Sequence, residues 1–409
     1  MGKYFNPFKP NYPVYKGLFI GRQNEVRKIE SALKQLDEGN PLNLMFTGER
    51  GIGKTSLLMV AKHLATGNIQ FEKPHKFLTI NVNINNNTTL SDFVIQFKKV
   101  LERELHKIDK TKKVLDSVWG FVERLEVSGI KLRDGKISNS EEIVSDFTYS
   151  LIDSINKIKE TKSIEREGIV LIIDEVDTSN KELGLGSFLK NLTETLTLEE
   201  CHNFMIIMGG LPTSSEVLRR NHESSPRLFE EIILGPLSNE NSLEIFKKGL
   251  DLIKEKENIE ISLDKKGKDL FCGYSEGYPH FIQQLAHSII TDLDQKIITE
   301  KIVSDSMNRT GGALDLIGKR YYVELFYNKI RVDSYRQILS IMAENWNEWI
   351  SKTDIRKNFT GSGADLSNGI KALRDRNIIL TKRGVTGVYR LQWLSFAFWI
   401  KIHKKFDNN

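Results

Sequence analysis

The sequence predicts an α/β fold: a parallel sheet covered by helices on both faces, then a helical domain, then a C-terminal helix–helix–helix–hairpin unit. Two observations carry this expectation. Short, wholly apolar runs alternate with amphipathic helical stretches as far as residue 238, which is how strands buried on both faces read. Past Pro236 the apolar runs stop and helical periodicity takes over. At 409 residues the chain can hold roughly two to three domains, each with its own core.

The elements follow in order. Residues 1–17 are rich in Pro, Tyr and Asn and read as an extended arm. Val26, Ile29, Leu33 and Leu36 recur at helical spacing, and Asp37-Glu38-Gly39-Asn40-Pro41 ends that helix. LNLMFTG, ending in Gly48, is a buried strand followed by a Gly-rich loop and a helix through Leu64. Phe77–Ile84 is a second strand, and residues 90–158 are mainly helical, with a hairpin- or loop-like insertion near 126–139. GIVLIIDEVD (168–177), NFMIIMGG (203–210) and EIILGPL (231–237) complete the strands. Residues 239–290 are helical with a break at 273–279. The expected boundaries are 1–238 for the α/β domain, 239–317 for the helical domain and 318–409 for the terminal domain.

Composition excludes several classes. Hydrophobic residues at 39% and charged residues at 28% describe a globular chain, neither disordered nor collagenous. Two cysteines cannot build a disulfide framework or a four-cysteine zinc site, and they suit a reducing cytoplasm. The longest apolar runs fall short of the roughly 20 residues needed to span a bilayer, and the N-terminus lacks the apolar core of a secretory signal. A cytoplasmic protein without membrane association is expected. The net charge of +5 is unevenly placed: residues 319–409 hold 17 Lys/Arg against 8 Asp/Glu, a net +9, which leaves −4 for the rest.

GERGIGKT, Gly48–Thr55, matches G-x-x-x-x-G-K-[ST] between a strand and a helix, the context this phosphate loop needs. Glycines let backbone N–H groups converge on phosphate, and the helix N-terminus adds a favourable dipole. Gly48, Glu49, Arg50, Gly51, Ile52, Gly53, Lys54, Thr55 and Ser56 are the expected nucleotide contacts, with Lys54 reaching the β- and γ-phosphates and Thr55 ligating Mg²⁺. Asp174, at the carboxyl end of an apolar strand, is placed to hold Mg²⁺ through water, and Glu175 is the base or polariser of the attacking water. The cofactors expected are ATP and Mg²⁺.

FIGRQNEVRKI before the loop, the two motifs, RLFEEIILGPL, EGYPHFIQQL and the terminal domain together resemble AAA+ P-loop ATPases over residues 17–402. The closest likeness is to the branch shared by initiator (origin-recognition) ATPases and STAND signalling ATPases. That resemblance implies a P-loop parallel sheet with a helical lid and a winged helix. It implies that Gly21 and Arg22 pack near the adenine and that Arg227 is an arginine finger offered to a neighbour's γ-phosphate, with Arg219 and Arg220 as rivals. It also implies that Gly277-Tyr278-Pro279 is the Gly-x-Pro motif bringing Pro279 of the lid to the nucleotide. Two departures stand out. MIIMGGLPTSSE shows no polar sensor at the end of its strand unless Thr213 or Ser214 substitutes, and no arginine follows the lid motif. Both favour a slow, regulatory ATPase over a fast motor.

In the terminal domain Leu366, Ile370 and Leu373 make a buried stripe, and Ser367, Lys371 and Arg374 make the adjoining polar face of the third helix. Ser362 with Asp365 forms a capping-box-like start, and Gly369 weakens the helix slightly. Lys382 and Arg383 lie at the hairpin tip, where a wing reaches a phosphate backbone. These five polar residues are the candidate DNA contacts; the competing use of the domain is protein packing. Trp393, Phe396, Phe398 and Trp399 read as core or a docking surface. The expected function is an ATP-binding and hydrolysing switch, homo-oligomeric and associated with double-stranded DNA in replication, transposition or defence. The alternative is a STAND-type scaffold that oligomerises with ATP and activates a partner effector protein.

Overall fold

The computed structural model describes residues 4–70, 73–108, 140–161, 164–345, 348–376, 378–382 and 384–403. The insertion expected near 126–139 lies outside them, as does Arg383. The chain forms two compact units, one of residues 13–235 and one of residues 4–12 with 236 onward.

The first unit is the α/β domain. It runs α1 (Gln23–Asp37), β1 (Asn43–Thr47), α2 (Lys54–Ala65), β2 (Phe77–Asn83), α3 (Leu90–Ile108), α4 (Ser140–Glu160), β3 (Gly168–Asp174), α5 (Leu185–Leu198), β4 (Phe204–Gly210), α6 (Ser214–Asn221) and β5 (Phe229–Ile233). The strands lie in the order β2-β3-β4-β1-β5, all parallel. Leu44, Met45 and Phe46 of β1 and Ile169–Leu171 of β3 are fully enclosed, as wholly apolar strands require. One face is sealed by α3, α4 and α5, where Phe93, Phe97, Phe147 and Phe188 pack ring to ring at 5.1–5.5 Å. The last strand starts two residues earlier than 231–237 and stops at Ile233, because Gly235-Pro236 cannot continue a ladder.

The second unit is helical at first: α7 (Asn239–Glu257), α8 (Lys265–Ser275), α9 (Pro279–Asp292), α10 (Glu300–Asn308) and α11 (Ala313–Ile317). A two-residue parallel pair, β6 (Ser262–Leu263) with β7 (Ile297–Ile298), ties its loops and is too short to show in sequence periodicity. Ser238 and Asp264 cap α7 and α8 by accepting from Asn241 and Gly267 N–H groups. A π-helical stretch, Gly318–Tyr322 and then Glu324–Lys329, leads into the winged helix. That domain comprises α12 (Asp333–Glu344), β8 (Ile350–Ser351), α13 (Lys352–Asn358), α14 (Gly363–Asp375), β9 (Ile379–Thr381), β10 (Val388–Leu391) and α15 (Leu394–His403), with an antiparallel sheet β8-β10-β9. The boundary expected at 317/318 therefore falls inside one compact unit.

Two long-range ties hold this unit. The Glu276 carboxylate accepts from the Leu394 and Ser395 N–H groups and the Ser395 hydroxyl, each at 2.8 Å, capping α15 from the loop before α9. Residues 4–12 form a strap on the helices rather than an arm of the first domain: Phe8 is buried, and Asn6 Nδ2 donates to the His287 carbonyl at 2.9 Å. Gly369 packs against α12, where a Cβ would meet Ile338 Cδ1 at 2.5 Å, so its helix penalty is offset by a close helix approach. Trp399 and Phe396 are core, which settles those two rings against a docking surface.

His280, in the first turn of α9, has its pKa pushed down to about 4, chiefly by burial and secondarily by Arg320. Folding therefore holds the ring neutral. The stability this contributes is present above pH 6.5, the ring's ordinary pKa, and is lost as pH falls through about 4. Replacing His280 with Gln should flatten the acid slope of thermal stability by up to about 3 kcal/mol between pH 7 and 4. An unchanged slope would show that the ring is not buried as a base.

No helix among the described residues is long and apolar enough to cross a membrane.

Candidate nucleotide site and winged-helix face

The site forms at the carboxyl ends of β1 and β3, which flank β4 in the sheet, the edge where open α/β sheets collect ligands. Gly53, at φ 99°, is the left-handed N-cap of α2 and turns the loop so that Lys54 begins the helix. Lys54 Nζ donates to the Gly48 carbonyl at 2.7 Å and the Glu49 carbonyl at 3.0 Å. Burial lowers its pKa, while Asp174, Asp177 and Glu49 act in the opposite direction. Thr55 Oγ1 donates to Asp174 Oδ2 at 2.6 Å, joining residues 119 positions apart. A hydroxyl and a carboxylate held together are hard oxygen donors of the kind Mg²⁺ takes, so the pair fits that ion.

Asp174 Oδ1 accepts the Glu175 N–H at 2.9 Å, and Glu175 then adopts φ 57° in the left-handed region. Such a conformation costs a non-glycine residue about 1 kcal/mol. It is held by the Thr178 N–H and hydroxyl, both donating to the Glu175 carbonyl at 2.8 Å, and it leaves the Glu175 side chain exposed. Asp177, an acid not anticipated at the site, accepts the Leu211 N–H at 2.8 Å and thereby ties β3 to the end of β4. Its place in IIDEVD was the only signal for it.

The end of β4 is closely packed around its two glycines. A Cβ on Gly209 would meet Leu58 Cδ1 at 2.9 Å and Asp174 Oδ1 at 3.1 Å, and one on Gly210 would meet Ser214 Oγ at 2.1 Å. Ser214 is buried and its hydroxyl donates to the Leu211 carbonyl at 2.7 Å, so that side chain is already engaged.

Other expected contacts are placed as follows. Arg50 is exposed at the loop tip, Ile52 is buried beneath it, and Ser56 Oγ accepts the Val14 N–H at 3.0 Å. Arg22 is buried; its guanidinium donates to the Ile52 carbonyl at 3.1 Å and the Gly235 carbonyl at 2.7 Å, bracing the phosphate loop from behind. Arg219, Arg220 and Arg227 are exposed and have no ion pair among the described residues. Pro279 opens α9 in the other unit, next to Gly277, whose carbonyl accepts the Leu237 N–H at 2.8 Å.

On the winged helix, Leu366, Ile370 and Leu373 are buried and the Ser362–Asp365 capping box is formed. Lys371 and Lys382 are exposed without an acidic partner among the described residues, whereas Arg374 is held by Asp375 at 3.1 Å. Lys352, not anticipated, joins this face: its Nζ donates to Ser367 Oγ at 2.8 Å, and its N–H donates to the Gly387 carbonyl beside the wing.

Residues 18–206 match the family described as AAA ATPase domain. That segment, an AAA-type ATPase domain by this match, holds both the phosphate loop and the Asp174 strand end. The chain shares the fold of a Walker-type ATPase of Pyrococcus abyssi, at 16% identity and TM-score 0.57, covering 96% of this chain and 99% of that one. The Aeropyrum pernix ORC2 protein, in its ADPNP–ADP complexes, matches at 12% identity and TM-score 0.57, covering 98% and 97%. In its ADP form the same protein matches at 14% identity and TM-score 0.51, covering 97% and 96%. The fold is thus shared with these proteins over nearly the full length of each. Comparison with proteins of curated function finds no match.

Proposed function

We propose that this ATPase is a slow, ATP-controlled switch whose state is read out on double-stranded DNA through the winged helix. The observation that carries the DNA reading is the pair of exposed, unneutralised lysines, Lys371 on α14 and Lys382 at the wing, in a region of net +9. In the nucleotide domain the loop N–H groups and Lys54 bind the phosphates. Thr55 and Asp174 hold Mg²⁺, which when bound neutralises phosphate charge. Glu175 takes the proton of the water whose oxygen attacks the γ-phosphorus as the bond to the β-phosphate oxygen breaks. Arg227 is the group a neighbouring subunit presents to that charge in a homo-oligomer, and Pro279 is the lid contact. The glycines at the end of β4 leave no sensor side chain there, which supports a switch over a motor.

Changing Lys371, Arg374, Lys382 and Arg383 to Ala should weaken duplex binding. The slope of log affinity against log salt should become shallower by about 0.9 for each phosphate that is no longer neutralised. Fluorescence anisotropy across a salt series reads both. Affinity and slope equal to wild type would favour the second reading, which rests on the absent sensor: a scaffold that oligomerises with ATP and passes its state to a partner effector.

A further inference from the structure

The helical unit contains an open pocket of about 390 Å³ that the ATPase reading does not use, bounded by the strap at Pro10, by α9 and by the π-helical stretch. Four side chains give it a chemical character. Lys319 and Arg320 are consecutive residues of Gly318–Tyr322, both exposed. Lys319 has no hydrogen bond or ion pair among the described residues. Arg320 spends one N–H on the Pro10 carbonyl at 3.3 Å and has no acidic partner among the described residues. That its charge goes unneutralised is felt by His280, whose protonation it opposes.

Gln284 supplies the third element. Its residue is 5% exposed and lines the pocket, and its amide makes no hydrogen bond among the described residues, so both its donor and its acceptor are available to a ligand there. His287 supplies the fourth. Its Nδ1 lies 2.9 Å from the Phe8 carbonyl, an acceptor only, so Nδ1 carries a hydrogen and Nε2 is the ring atom left to meet a ligand. Two cations, an amide and a ring nitrogen match an anion that also bears a hydroxyl. Wide π turns recur at functional sites.

We infer that this pocket binds a small hydroxylated phosphate monoester, with Lys319 and Arg320 on the phosphate and Gln284 and His287 on the polar remainder. None of the residues lining it belongs to the phosphate loop. The test uses the full chain with its phosphate loop saturated by ADP and Mg²⁺, titrated calorimetrically with ribose 5-phosphate, with inorganic phosphate and with neutral ribose. Ribose 5-phosphate should bind saturably, inorganic phosphate more weakly and ribose not at all. Lys319→Ala, an exposed change, and Gln284→Ala should each weaken ribose 5-phosphate about tenfold while leaving ADP affinity unchanged. Three results would each overturn the assignment: no saturable binding in the ADP-loaded protein, ribose binding as well as its phosphate, or both variants binding like wild type.

Discussion

Replacing Glu175 with Gln is expected to cut ATP hydrolysis by about a hundredfold or more while leaving ATP affinity within about twofold. The carboxylate is exposed beside Asp174 and on a left-handed backbone that the Thr178 bonds to its carbonyl hold in place. Those bonds use only the main chain of Glu175, so the substitution leaves them intact. Gln keeps the shape and removes the proton acceptor. Nucleotide binding followed with a fluorescent ATP analogue, alongside steady-state phosphate release, separates the two effects. Hydrolysis at the wild-type rate would remove Glu175 from the chemistry and point to another acid of the IIDEVD strand end.

Replacing Lys54 with Ala should instead abolish binding, weakening ATP by about a hundredfold or more, the worth of a desolvated charge-assisted contact. Lys54 is half-buried among loop carbonyls, and burial alone would favour losing its proton; Asp174, Asp177 and Glu49 oppose that loss. Its structural bonds are confined to the carbonyls of its own loop, so the folded state should survive with little change in melting temperature. Retained ATP affinity would contradict the assignment of Lys54 to the phosphates.

The parts of this site readable from the chain are those written locally. Gly48–Thr55 is one contiguous motif, and Asp174 ends an apolar run whose length and composition admit only a buried strand. The Leu366–Ile370–Leu373 stripe and the Ser362 cap are likewise set within a turn or two of helix. What escaped the sequence is carried by contacts between distant residues. Nothing in MGKYFNPFKPNYP has a period, so its docking on helices more than 230 residues away had no local signature. The Glu276 cap on α15 spans 118 residues. Arg22 stood in a stretch assigned to the nucleotide by resemblance; that its guanidinium also braces two backbone carbonyls was not legible, because those contacts are set by the loop it meets. Gly369 looked like a weak point in its helix and is instead a position where the Ile338 and Tyr335 side chains of α12 pack against the backbone.

The most direct test of the account is duplex DNA binding by the intact protein at two salt concentrations, with ATP, with ADP and without nucleotide. The account predicts binding that falls steeply as salt rises and whose affinity differs between the ATP and ADP states. Failure to bind DNA in every condition, in a protein that still binds ATP, would contradict it and assign the winged helix to a protein partner.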